Sequence, residues 1–92
     1  MALQEPVLNS EHLLQVKVYS PYAVFYDDKA KSVSAKNHTG FFDILPRHHN
    51  FISIIDPCEV IINKYNDEEV KIKINGGLMH VRSNNVTLFL DV

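Results

Sequence analysis

A chain of 92 residues with 46% apolar content makes one domain with one core, able to bury roughly 60–65% of its unfolded surface. Residues 1–46 carry four Lys or Arg against five Asp or Glu, and residues 47–92 five against six. Neither half therefore offers a basic pole for phosphates, and nucleic acid is excluded as a partner. The single cysteine, Cys58, rules out an internal disulfide and reads as a free thiol suited to a reducing compartment.

The opening Met1-Ala2-Leu3-Gln4-Glu5-Pro6-Val7-Leu8 has no basic region and no long apolar run, so it reads as neither a signal nor a transit peptide. No transmembrane span is expected, and the two N-x-T sequons, at Asn37 and Asn85, are read as chance. Residues 1–11 are polar and irregular and are expected to form an N-terminal arm, with the folded domain over 12–92. Leu14 to Tyr19 alternates strictly, which predicts a half-buried strand with Leu14, Val16 and Val18 inward. Ser20-Pro21-Tyr22 breaks it. Ala23–Tyr26 predicts a short second strand, Asp27-Asp28-Lys29 a turn, and Lys31–Ala35 a further strand.

The stretch from Asn37 to Phe51 packs a glycine, three phenylalanines, a proline and three histidines into one connection. Gly40 and Pro46 make the backbone turn, advance and turn again, which presents the side chains between them at one end of a sheet. Phe51–Ile55 predicts a strand ended by Asp56-Pro57, and Glu59–Tyr65 another. Asn66-Asp67 predicts a hairpin into Glu69–Asn75, the cleanest alternation in the chain, with Val70, Ile72 and Ile74 inward. Gly76-Gly77 marks a bend or a close backbone approach. Leu78–Val81 and Val86–Leu90 predict two strands joined by a tight turn at Ser83-Asn84-Asn85. About 8–10 short strands, each with one apolar face and no helical period among them, predict an all-β fold: an antiparallel β-sandwich of two packed sheets.

Chemical motifs are sparse. Asp27 and Asp28 are neighbours on extended chain and diverge, so they read as a solvated turn and not as a paired acid or metal site. Gly76-Gly77 lacks the Lys and Ser/Thr of a phosphate cradle, and no Ser, His and Asp fall in a nucleophile motif. His38, His48 and His49 share one connection, but adjacent histidines diverge and Asp43 is the one nearby carboxylate, so they read as surface groups or as polar contacts with another protein. No cofactor and no metal are implied.

The ordered set Thr39-Gly40, Ile44-Leu45-Pro46-x-His48, Asp56-Pro57, Gly76-Gly77-Leu78-Met79-x-Val81 and Asn85-Val86-Thr87-Leu88 resembles the N-terminal β-sandwich of the F-type ATP synthase epsilon subunit, called delta in mitochondria. The resemblance runs from about Leu13 to Asp91. Family members carry Gly-x-x-Gly-Ile-x-Pro-Gly-His where this chain has Gly40-Phe41-Phe42-Asp43-Ile44-Leu45-Pro46-Arg47-His48. The resemblance implies a non-catalytic rotor part of the central stalk, linking the gamma subunit to the c-ring and coupling proton flow to ATP synthesis. It would sit peripherally on the cytoplasmic face of a bacterial inner membrane, with no direct insertion.

By that resemblance Phe41, Phe42, Arg47, His48 and His49 form the interface to gamma and the ring. Phe41 stands where many members carry an acidic residue facing the ring. It reads either as an aromatic anchor or as an inward core residue, and Phe41 and Phe42 cannot both point inward on a strand. Asp43, Arg47 and Cys58 occupy usual glycine positions. A positive φ retained at any of them would cost roughly 1–2 kcal/mol, and a drifted loop is expected instead. The helical hairpin with which members commonly continue, which inhibits ATP hydrolysis and in some bacteria binds ATP, is expected to be absent, and with it nucleotide binding and autoinhibition. The alternative reading is a free-standing β-sandwich adaptor built on the same scaffold.

Overall fold

The computed structural model describes residues 13–90, so the expected arm of residues 1–11 lies outside the described residues. Eight strands follow in chain order: β1 Leu14–Tyr19, β2 Val24–Asn37, β3 Gly40–Ile44, β4 Phe51–Ile55, β5 Cys58–Lys64, β6 Glu69–Ile74, β7 Gly77–Arg82 and β8 Asn85–Leu90. They are hydrogen-bonded in the order β4-β7-β8-β1-β2-β5-β6, with β3 also on β2. The alternating segments formed strands because each has one apolar face to bury. Leu14, Val16 and Val18 are fully buried while Gln15 and Lys17 stay wet.

One long strand replaces the expected pair of short ones. Val24–Asn37 is continuous, so Asp27-Asp28-Lys29 is strand and not turn. The cause is non-local: β1 runs antiparallel beside it, with Lys17 opposite Asp27 and Gln15 opposite Lys29. That ladder satisfies backbone groups which a turn would have left to water. An irregularity between Ala30 and Ser32 then bends β2. Its first half pairs with β1, and its second half with β3 and β5. Two layers result, β4-β7-β8-β1 with the start of β2, and β3, the end of β2, β5 and β6.

The inward side chains of both layers form one cluster that includes Leu14, Val33, Ile44, Ile62, Met79 and Leu88. Fully burying a side chain of this size contributes about 1.5–3 kcal/mol, so this cluster is the main source of cohesion. All ladders are antiparallel except one: β1 and β8 run parallel, Gln15 beside Asn85 through Tyr19 beside Phe89. Gly77 pairs with Leu90 at one end of the β7–β8 ladder. A Cβ there would run into the backbone carbonyl oxygen of Phe89, so the expected close approach is real.

Candidate functional site

The Gly40 to Phe51 stretch is more regular than its composition suggests. Asn37 and Gly40 pair across a two-residue loop, His38-Thr39, which makes Gly40–Ile44 a hairpin partner of β2. Asn37 sets that loop: its Oδ1 accepts from Thr39 N at 3.0 Å and from Thr39 Oγ1 at 2.7 Å, while its Nδ2 donates to Ser53 Oγ at 3.0 Å. Gly40 has φ 120, and a Cβ there would meet nothing, so its requirement is conformational and not steric.

Beyond β3 the chain makes a four-residue turn, Leu45-Pro46-Arg47-His48, closed by His48 N donating to Leu45 O at 3.1 Å. Arg47 has φ 69. Proline at the second position and a positive φ at the third are the marks of a type II turn, whose third residue is normally glycine. The expected drift has therefore not occurred at Arg47, because two constraints hold the turn. Pro46 presets its entry, and Arg47 N donates at 2.7 Å to Oδ1 of Asn84 in the β7–β8 turn. Asn84 O in turn accepts from Gln15 N at 2.8 Å, which ties both turns to β1. Asp43 and Cys58, the other two residues at glycine positions, lie on ordinary backbone. Asp43 uses the extended geometry to accept from Ser34 Oγ across the β2–β3 pair at 2.5 Å.

Alternation along β3 splits the two phenylalanines. Phe42 turns inward and packs against the core and Phe51, ring centroids 5.5 Å apart. Phe41 turns out and is 79% exposed, with Lys36 Nζ 5.7 Å above its ring. His48 stacks on His49 at 4.3 Å and meets Phe51 edge-on at 5.5 Å. Its Nδ1 lies 2.7 Å from the His49 carbonyl oxygen. A carbonyl only accepts, so Nδ1 carries the proton, which leaves Nε2 of the neutral ring as an acceptor.

Of the five expected interface residues, Phe42, His48 and His49 thus gather around Phe51. Arg47 sits at the turn beside them, and Phe41 stands on the outer side of the same strand. His38 is exposed in the β2–β3 loop. Among the described residues no three His, Cys, Asp or Glu side chains converge to hold a metal ion. Sequence reasoning missed Ile52 and Ile54, 68% and 74% exposed, and Leu45 at 56%. The signal was present in β4: a strand apolar at both parities has apolar side chains on its outer face too.

Residues 13–92 match the family model for the ATP synthase delta/epsilon chain β-sandwich domain. The chain is 30% identical over 79 residues to the ATP synthase epsilon chain of Sulfurovum sp. (strain NBC37-1), covering 86% of this chain and 62% of that protein. It is 32% identical over 78 residues to the epsilon chain of Brevibacillus brevis, covering 85% and 59%. It therefore spans about three fifths of the length of these curated relatives. Among solved structures, a chain of the Euglena gracilis mitochondrial ATP synthase superposes with TM-score 0.82 at 13% identity, over 89% of this chain and 52% of that one. A chain of the Tetrahymena thermophila mitochondrial ATP synthase central stalk and c-ring superposes with TM-score 0.71 at 15% identity, over 86% and 63%.

Proposed function

The chain belongs to the ATP synthase delta/epsilon family by its β-sandwich domain, and on that premise we propose that it is a rotor subunit of an F-type ATP synthase central stalk. In that role it binds the gamma subunit and the c-ring and passes ring rotation to the catalytic head. It is itself non-catalytic. It sits peripherally, at the cytoplasmic face of a bacterial inner membrane.

The observation that carries the placement of the interface is the exposure of Phe41 on the strand that leads into the Arg47 turn. An aromatic side chain left 79% exposed on β3 lies on the same segment as a non-glycine residue held at φ 69. Exposed aromatics are the usual anchors of protein interfaces, and backbone strain persists where function retains the side chain. Phe41, Arg47 and the His48-His49 pair then form the contact surface, with Phe42 and Phe51 as the inward wall that supports it.

Pull-down of the gamma subunit and the c-ring by immobilised chain tests the reading. Wild type is expected to retain both, and Phe41→Ala, Arg47→Ala and the double variant to lose them progressively with unchanged thermal unfolding in Phe41→Ala. Retention of neither partner by wild type would contradict the rotor role. Full retention by the double variant would contradict the placement of the interface.

A further inference from the structure

Asparagine is followed by glycine at a single place in the sequence, Asn75-Gly76. The pair connects β6, which ends at Ile74, to β7, which starts at Gly77. Asn75 is exposed, and among the described residues its side-chain amide has no hydrogen-bond partner. Other asparagines are held: Asn37 by Thr39 and Ser53, Asn66 by Glu68, and Asn85 by the Ser83 carbonyl. Asn75 is thus left to rotate its amide carbon toward the next main-chain nitrogen, and asparagine is among the thermolabile residues.

The fold also fixes glycine as that next residue. Gly76 has φ 118, a conformation open to glycine and strained for any residue with a Cβ. A Cβ there would lie 3.0 Å from the Ile55 carbonyl oxygen. No side chain therefore shields the Gly76 nitrogen from its neighbour's amide. Its N–H belongs to neither flanking ladder and to none of the turn or loop hydrogen bonds among the described residues. Gly76 is buried, so solvent reaches this N–H when the bend opens, and that opening breaks no ladder bond.

We infer that Asn75-Gly76 is a site of spontaneous deamidation in the folded chain. The Gly76 nitrogen gives its proton to hydroxide and attacks Cγ of Asn75. A bond from Gly76 N to Cγ forms, the Cγ–Nδ2 bond breaks, and Nδ2 takes a proton from water and leaves as ammonia. Water then opens the resulting succinimide. Opening at Cγ gives aspartate, and opening at the Asn75 main-chain carbonyl gives isoaspartate. The reaction consumes water and no oxidant or reductant.

Both products disturb the bend. Isoaspartate routes the main chain through Cβ and Cγ, which lengthens a connection whose exit is pinned by pairing of Gly77 with Ile55 and Leu90. Either product adds a carboxylate to a cleft that Asn75 shares with Asp56, on a chain whose net charge is already −2. The inference stands apart from the rotor reading, because it uses neither Phe41 nor the Arg47 turn.

The test incubates the folded chain at mildly alkaline pH beside a urea-unfolded sample, and locates acid products by peptide mapping with mass spectrometry. Isoaspartate is read separately, by methyl transfer from S-adenosylmethionine with an isoaspartyl methyltransferase. Conversion is expected at Asn75 ahead of every other asparagine in the folded chain, and faster as pH rises. Asn75→Gln, which alters only an exposed side chain and would have to close a larger ring, should abolish both signals. The converted wild type should unfold at a lower temperature than fresh protein, while Asn75→Gln aged in parallel should not change. An Asn75 amide still intact in the folded chain when the unfolded sample has converted overturns the inference, since the bend would then shield it. Earlier conversion of another asparagine in the folded chain overturns it as well.

Discussion

Arg47 offers a direct test of how the turn at the site is held. It sits at φ 69 in a type II turn whose third position favours glycine. Placing a Cβ in the left-handed region costs about 1–2 kcal/mol, and glycine gives back part of that gain, about 0.4–1 kcal/mol, through its freer unfolded chain. Arg47→Gly should therefore exceed Arg47→Ala in stability by about 1 kcal/mol, or roughly 4–8 °C in Tm for a domain of this size. Comparing Gly with Ala removes the arginine side chain from both arms, so only the backbone term remains. Both variants keep the Arg47 N–H that Asn84 Oδ1 accepts at 2.7 Å. In an Asn84→Ala background, where the turn is free to relax, the Gly–Ala difference should shrink. Urea and thermal unfolding of the four variants supply the measurement. An Arg47→Ala chain as stable as Arg47→Gly would refute the reasoning, because no strain would then be stored at this position.

Gly77→Ala should destabilise the domain by about 3 kcal/mol in urea unfolding, because its methyl group would meet the backbone carbonyl of Phe89, which cannot rotate away as a side chain could. Met79→Ala, which empties a fully buried position in the cluster, should cost about 2–5 kcal/mol by the same assay. Tyr26 has its pKa raised above the ordinary 10.0, first by burial and then by the neighbouring Asp28 and Tyr65. The folded state thus favours the neutral phenol, whose stabilisation is complete below pH 10 and is lost as pH rises through the folded value. Stability followed from pH 9 to about 11.5 should fall on this alkaline limb in wild type, and the fall should flatten in Tyr26→Phe.

The parts of the fold that were legible in the sequence are those fixed by local alternation. Val70, Ile72 and Ile74 read as inward from spacing alone, and so did Leu14, Val16 and Val18, because a strand with one wet face records its orientation in every second residue. The turn at Ser83-Asn84 was legible too, since small polar residues tolerate the positive φ values of 50 and 64 found there. What local pattern could not show was pairing. Asp27 and Asp28 carry turn composition but lie in a ladder with β1, a strand whose partner residues are 10 or more positions away. The parallel pairing of β1 with β8 was hidden for the same reason: both strands alternate as antiparallel ones do. At the candidate site, Gly40 and Pro46 announced the turns, and the split of Phe41 from Phe42 followed from strand geometry. The left-handed Arg47 was marked only by the glycine usual at its position in the family, and a drifted loop was expected there because arginine itself carries no mark of the conformation that Pro46 and Asn84 impose on it.

The account rests most on binding of the chain to the ATP synthase gamma subunit, measured by calorimetry with wild type and Phe41→Ala in parallel. Wild type is expected to bind with a Kd of about 1 μM or tighter, and Phe41→Ala at least about tenfold more weakly, with both chains unfolding at the same temperature. Absence of binding to gamma at about 100 μM would contradict the rotor role and favour the adaptor reading.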